Sequence, residues 1–363
     1  MPRVFEIVIV PIMNDMVFAM ARITFQFDPC DDLARTTRFS GRAMRSTFAL
    51  LMLCAIDAFA QSDPILVGLG YRPPATIFVA PGQIIRFDIV GLKTVLPFDT
   101  STATRELRAV SLPLPEVLAG ISLTLRQRFF MAGLQVGETS VKLPMIAIRQ
   151  LAMCADNSTS PACIRSTITA QIPFDLSFLG IGTFPTDITI SEAGVDSPPF
   201  GVGAVSDAIH VVTTCDQEGT SCDSIVAHPD GSRVTPDSPA NPGEVVVVYA
   251  WGLGSTTPAA QTGAPAPAPA PVLGPPGPGS DVVVGFDFRS NAGPSNPTSM
   301  TSHVPVYLTP GQVGLYQINV QLPDSFPNVE GCSNITGVSS NLTINFRRSA
   351  SFDGAGLCVK SAL

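Results

Sequence analysis

The groups in this chain that could move a proton near neutral pH are its three histidines, His210, His228 and His303, because unperturbed imidazole titrates in that range. His210 sits in "AIHVVTT", where alternation places it on one face of a strand. The pattern favours a satisfied core or edge histidine. His228 precedes Pro-Asp-Gly, a turn, and His303 precedes a strand. No G-x-S-x-G elbow, H-E-x-x-H pair or phosphate-cradling glycine loop accompanies them. A nucleophile and a base could still meet in space, since triads are defined by geometry. Asp216, Glu218 and Asp223 in "CDQEGTSCD" put hard oxygen ligands in or beside a short cysteine loop, a weak candidate for calcium. Such charges also serve simply to solvate a hairpin tip, and their spacing is not that of an EF-hand loop. No cofactor is expected.

The cysteines point to a compartment. From Met44, "MRSTFALLMLCAIDAFAQ" has Arg45, an apolar run from Phe48 to Ile56, and Ala58-Phe59-Ala60. A positive start, a short apolar core and an A-x-A exit describe a secretory signal peptide over residues 44–60, cleaved after Ala60. The run is too short to span a bilayer as a helix, so no transmembrane segment is expected in the mature chain. Residues 1–43 then read as a mis-called upstream extension, with Met44 as initiator. The alternative is a genuine extension whose apolar stretch is a buried helix. Leu53 before Cys54 is a poor lipobox. The mature part keeps Cys154, Cys163, Cys215, Cys222, Cys332 and Cys358. An even count in an exported chain reads as disulfides, and order along the chain suggests nearest-neighbour pairs. No C-x-x-C spacing suggests zinc.

Architecture is visible in a repeated phrase. "APGQIIRFDIVGLK" (80–93) and "NPGEVVVVYAWGLG" (241–254) share Pro-Gly and Gly-Leu at one common offset, which suggests duplication. Pro-Gly makes a turn, and the residues between are β-branched strands. "STITAQIPFD" and "LYQINVQLPD" form a second recurring pair, each a strand ended by proline. Many more short strands follow one another between Gly, Pro, Asn and Ser clusters. "LPEVLAG" from Leu114 could form one helical turn. The expected fold is all-β, with two β-sandwiches over residues 61–214 and 215–363. "AIHVVTT" closes the first. Residues 257–279 are rich in Pro and Ala and read as a stiff exposed loop, or as a ligand for a proline-binding module. Trp251, the sole tryptophan, would be a saccharide-stacking platform if exposed. It matches Val90 of the first copy, which argues for core packing.

The stretch "VAHPDGSRVTPDSPANPGEVVVVYAWGLGSTTPAAQTG" followed by "GLYQINVQLP" resembles the Solibacter-type C-terminal domain of secreted acidobacterial proteins. "VAPGQIIRFDIVGL", "LAGISLTLRQ" and "ISEAGVDSPPFGVGAVSDAIHVVTTCD" resemble the companion module before it. The resemblance covers most of Tyr71 to Val359 and departs from the family at the long Ala-Pro insertion. It implies tandem immunoglobulin-like, IPT/TIG-type sandwiches in an exported bacterial protein, and no particular reaction. In such a host the N-x-S/T triplets at Asn157, Asn334 and Asn341 are chance matches.

A formal charge of −8 with 14% charged residues argues against nucleic acid as a partner. The expected function is that of an exported, non-catalytic structural, adhesion or binding module at or outside the cell surface, with a protein or polysaccharide partner. Glycan binding is the first alternative, requiring exposed aromatics. A secreted hydrolase is the second, requiring a pocket that holds a histidine with a carboxylate.

Overall fold

The two Pro-Gly phrases adopt the same local structure in the computed structural model of the chain. The structure describes residues 65–69, 78–97, 104–154, 160–178, 185–217, 223–274, 282–286, 299–301, 304, 306–325, 341–346 and 351–360, all within one unit, Ser62–Leu363. Gly82 and Gly243 have φ of +70° and +71°. Proline followed by a positive-φ glycine is the signature of a type II turn. The fourth residue closes each turn: the N–H of Gln83 donates to Ala80 O and that of Glu244 to Asn241 O, both at 3.2 Å. Its side chain also reaches back, Gln83 Oε1 to Ala80 N–H and Glu244 Oε2 to Asn241 N–H, both at 2.8 Å. At the far ends Gly91 and Gly252 have φ of +98° and +75°.

The second phrase pairs with the first in both copies. Ile84–Val90 runs antiparallel to Ile164–Gln171, and Val245–Trp251 to Tyr316–Gln321. Ile84 stands opposite Gln171 and Val245 opposite Gln321, which is one register used twice. Past the proline-ended strands, Ile172 N–H donates to Gln83 O and Leu322 N–H to Glu244 O, both at 2.8 Å. The match therefore extends beyond the shared letters to residues of different type.

Four sheets are present among the described residues. Sheet A runs in the order Ile65–Leu69, Ile84–Val90, Ile164–Gln171, Met145–Ala152, Thr104–Arg108. Sheet B contains Phe78–Val79, Phe200–Ala204, Thr186–Glu192, Ile121–Met131 and Leu134–Lys142. Sheet C centres on Val245–Trp251 and Tyr316–Gln321. Sheet D holds Ser299–Thr301, Val282–Phe286, Leu342–Phe346 and Phe352–Ala355. Sheets A and B enclose one core, in which Phe87, Ile89 and Ile168 meet Leu123, Ile188 and Ile190. Sheets C and D enclose another, in which Val246, Val248 and Ile318 meet Val284, Leu342 and Ile344. Period-2 alternation buries Ile85, Phe87 and Ile89 in one copy and Val246, Val248 and Ala250 in the other.

Several expectations change. "LPEVLAG" forms no helical turn: Leu118 and Ile121 bridge across Ala119 and Gly120, both at positive φ. The same Ala-Gly pair makes two-residue hairpins at Ala132-Gly133 and Ala193-Gly194. The strand His210–Val211, expected to end the first copy, is hydrogen-bonded to Val245–Trp251 in sheet C instead. The loop read as exposed is partly buried. Thr256–Thr257 pairs with Val272–Leu273, and between them Gly263 donates to Gln171 Oε1 (2.6 Å) and accepts from Leu114 N–H (2.8 Å). Thr262 Oγ1 accepts from Phe174 N–H at 3.0 Å. Phe174 itself, from the first pair of sheets, lies in the core of the second.

Cys154 and Cys163 form a disulfide, and Cys358 is disulfide-bonded as well. The partner of Cys358 and the expected Cys215–Cys222 and Cys332 pairings lie outside the described residues. So do residues 1–43, the signal segment with Ala60, Glu218, His303, Asn157 and Asn334. Asn341 is buried, with its amide exchanging hydrogen bonds with the Leu357 backbone at 2.8 and 2.7 Å. Among the described residues no helix is long and apolar enough to cross a membrane.

Two glycines separate backbone strain from close approach. Gly120 has φ +75° with open space where a Cβ would stand; Gly252 has the same φ, but a Cβ there would overlap the Ala208 carbonyl. Gly120→Val should cost about 1–2 kcal/mol for the left-handed conformation alone. Gly252→Val should cost at least about twice that, read as the shift of the urea unfolding midpoint. Equal losses would show that the backbone at Ala208 yields.

Candidate functional site

The residues that alternate with the core positions face a cleft. In sheet A, Arg86 and Asp88 lie between buried Ile85, Phe87 and Ile89 and so point to the opposite face. In sheet C, Tyr249 and Trp251 flank buried Ala250 and alternate with it and Val248, so they do the same. These two outer faces meet across a cleft of about 600 Å³. One wall is aromatic, built from Tyr249 and Trp251. The other is a polar grid set by strand register: Asp88, Thr167, Arg149 and Glu106 form one cross-strand row, and Arg86, Thr169, Ala147 and Arg108 the next. Thr167 Oγ1 donates to Asp88 Oδ1 at 2.6 Å, and Arg108 pairs with Glu106. Gln312, Val313 and Leu315 close one end.

Trp251 is therefore not a core residue. Val90, its counterpart, is itself only half-buried on the outer face, so the match was sound but its reading was not. Strand parity carries the signal: Ala250 and Ile89 are buried, hence their neighbours face away. Of the residues at the two alternate positions where the copies differ, Arg86 against Val247 and Asp88 against Tyr249, all but Val247 line the cleft. The phrase consequently serves the core with one face and the cleft with the other.

His210 stands beside this wall. It is the cross-strand neighbour of Trp251, and the two rings stack with centroids 5.9 Å apart at 23°. Its Nε2 meets Asp216 Oδ2 at 2.9 Å and its Nδ1 meets Asp353 Oδ2 at 3.2 Å. The short 3-10 turn Thr214–Gln217 aims Asp216 inward, where its carboxylate also accepts from Thr213 N–H (2.7 Å) and Oγ1 (3.0 Å). Asp353 comes from sheet D and accepts from Val211 N–H at 3.0 Å. Arg86 reaches across from sheet A to within 3.7 Å of Asp216 Oδ1 and donates to the Asp216 carbonyl. Burial alone would lower the His210 pKa, but the two carboxylates outweigh it and hold it above the ordinary value. Burial likewise raises Asp216, and His210 and Thr213 together hold it below the usual carboxylate range. Both ring nitrogens of His210 thus face carboxylates, Asp216 on one side and Asp353 on the other.

The remaining expected residues disperse. His228 is buried, its Nδ1 2.6 Å from Glu244 Oε1 and its Nε2 3.1 Å from Ser238 O. The Glu244 carboxylate raises its pKa. This pair ties the 228–240 excursion to the repeated turn. Asp216 is committed to His210 and Thr213, and Asp223 is exposed. No group of three or more His, Cys, Asp or Glu side chains is arranged to hold a metal ion among the described residues. The Asp353 partner of His210 had no signal in sequence, standing 143 positions away.

The chain matches no protein-family model and no curated protein sequence.

The His210 cluster predicts a pH dependence. A histidine whose folded pKa is raised contributes stability that is complete below its unfolded value, near 6.5, and is lost as pH rises through the folded value. Asp216 acts in the opposite sense, its contribution being lost as pH falls through its depressed folded value. His210→Gln should cost about 3 kcal/mol at pH 6, since it removes the imidazole between Asp216 and Asp353 and leaves Asp216 with Arg86 alone. The gap in melting temperature between wild type and His210→Gln should narrow steadily above pH 6.5. His228 is retained in both proteins, so the difference isolates His210. A gap independent of pH would show that His210 is neutral in the folded chain.

Proposed function

We propose that the chain is an exported, non-catalytic binding protein made of two tandem immunoglobulin-like, IPT/TIG-type β-sandwiches, which holds its ligand in the cleft between them at or outside the cell surface. The observation that carries this reading is the cleft itself. Its one tryptophan and an adjacent tyrosine stand on one wall, opposite an ordered polar grid. Concave sites with a few placed polar groups and aromatic lining are what small-ligand and saccharide sites require. The tandem reading is supported by two pairs of sheets, each around its own core, and by the shared register of their central strands. The resemblance to the Solibacter-type C-terminal domain belongs to the same reading. The hydrolase alternative asks for a histidine with a nitrogen open to substrate, whereas both ring nitrogens of His210 face carboxylates.

Export is tested by N-terminal sequencing of the secreted protein, which should begin at Gln61. A secreted chain that begins at Met1 would refute it. Ligand binding is tested through Trp251, because its emission is the only tryptophan signal of the molecule. A panel of cell-wall and matrix polysaccharides and surface proteins should contain a ligand that shifts this emission. Trp251→Ala should weaken that ligand about tenfold, the loss of one stacked aromatic contact. A ligand that binds with no change in emission, and equally well to Trp251→Ala, would place binding elsewhere.

A further inference from the structure

We infer that two copies of the chain join edge to edge through the strand Leu134–Lys142, continuing sheet B across a two-fold axis. The inference does not depend on the cleft being a binding site. This strand ends sheet B and, among the described residues, pairs with Ile121–Met131 alone. All of its residues are exposed except the half-buried Gly137, and Leu134 and Val136 are 73% and 61% exposed. An open edge presents a row of unpaired N–H and C=O groups, a template for another strand.

The hydrogen-bond phase of the hairpin tells which main-chain groups look outward. Leu143 N–H donates to Leu123 O at 2.8 Å, so Val141 and Thr139 also bond toward the neighbouring strand. Arg128 stands opposite Glu138, but its N–H turns the other way and donates to Pro185 O at 3.0 Å. Both observations put the main-chain N–H and C=O of Glu138, Ser140 and Lys142 on the outer edge. The register shift of the hairpin, between Phe129 and Phe130, lies outside this stretch.

Charge then selects the register. The side chains of Glu138, Ser140 and Lys142 share one face. Neither Glu138 nor Lys142 forms an ion pair among the described residues, and Arg126 and Arg128 beside Glu138 are held by Asp187 at 3.1 and 2.7 Å. Two antiparallel copies with the axis at Ser140 set Glu138 of each opposite Lys142 of the other, in hydrogen-bonded pairs. An axis at Glu138 or at Lys142 would bring like charges face to face, which is unfavourable. An axis at Thr139 or Val141 would set both charges opposite uncharged residues. The Ser140 axis also places Val141, 38% exposed, beside Thr139 of the second copy. Lysine on an edge strand commonly guards against pairing. A guard of one sign repels its own copy, whereas this Glu and Lys are self-complementary about Ser140.

The experiment is sedimentation equilibrium of the secreted chain from about 1 to about 500 µM, a range suited to the weak association of a small interface. Wild type should show a monomer–dimer equilibrium. Glu138→Lys and Lys142→Glu should each weaken the dimer at least about tenfold, because each opposes two pairs of like charges. The two substitutions together restore opposite charges and should return the dimer to within about threefold of wild type. These exposed positions should leave the melting temperature of the monomer, taken at the lowest concentration, within about 3 °C. Amide exchange at Glu138, Ser140 and Lys142 should slow as wild type dimerises. A chain that stays monomeric at the highest concentration overturns the inference and leaves the edge to an extended peptide of another protein. A dimer indifferent to the single charge variants, not restored by the double variant, or without slowed exchange at these amides uses another surface and overturns it as well.

Discussion

The side-chain amide of Gln171 stands where the two pairs of sheets meet, and the width of the cleft depends on that meeting. Gln171 is fully buried. Its Oε1 accepts from Gly263 in the Pro/Ala-rich loop, and its Nε2 lies 3.5 Å from Gly82 O in the first Pro-Gly turn. A buried amide left unpaired costs about 1–3 kcal/mol, so separating the two halves there is unfavourable even before apolar surface is exposed. The contacts are backbone-close because glycines make them so. A Cβ on Gly314 would stand 2.7 Å from Gly82 O, and one on Gly263 would stand 3.0 Å from Pro144. Phe174 crosses from the first pair of sheets into the second core, burying a large ring where a flexible linker would otherwise have been free to move.

With the halves fixed, strand parity decides which residues work where. Each repeated strand gives one face to a core, where Phe87 or Val248 stabilises by about 1.5–3 kcal/mol when buried. The other face looks out over the cleft. Divergence between copies is therefore confined by physics. Core positions tolerate only apolar exchanges of suitable size, whereas the outer face is free to carry Arg86 and Asp88 in one copy and Val247 and Tyr249 in the other.

The His210 cluster shows a different balance. Burying an imidazole between two carboxylates carries a desolvation cost that an apolar trio would avoid. What the cluster adds is direction. It joins the 3-10 turn at Asp216, the edge strand of sheet C and the Asp353 strand of sheet D, holds Trp251 by stacking, and receives Arg86 from the opposite wall. A hydrophobic replacement would pack those elements but would not orient the indole or link the walls.

Turns and strands were legible in the sequence because they are local. Pro-Gly followed by a β-branched run dictates a turn and a strand wherever it occurs, and the duplicated letters at 80–93 and 241–254 announced two equivalent strands. Alternation with Arg86 and Asp88 marks Ile85, Phe87 and Ile89 as core, while Val246, Val248 and Ala250 follow only through the shared offset, because Val245–Val248 is an unbroken apolar run. Parity also held the position of Trp251, although its match to Val90 concealed it, since an aliphatic residue in a strand is not thereby a core residue. The three Ala-Gly hairpins were invisible because alanine, unlike glycine or asparagine, seldom takes positive φ. What belonged to tertiary structure alone were the encounters between distant segments: His210 with Asp353, Arg86 with Asp216, Gly263 with Gln171. These depend on which outer face meets which, and that is decided by close approach of glycine backbones and one buried amide, interactions that leave no periodic trace along the chain.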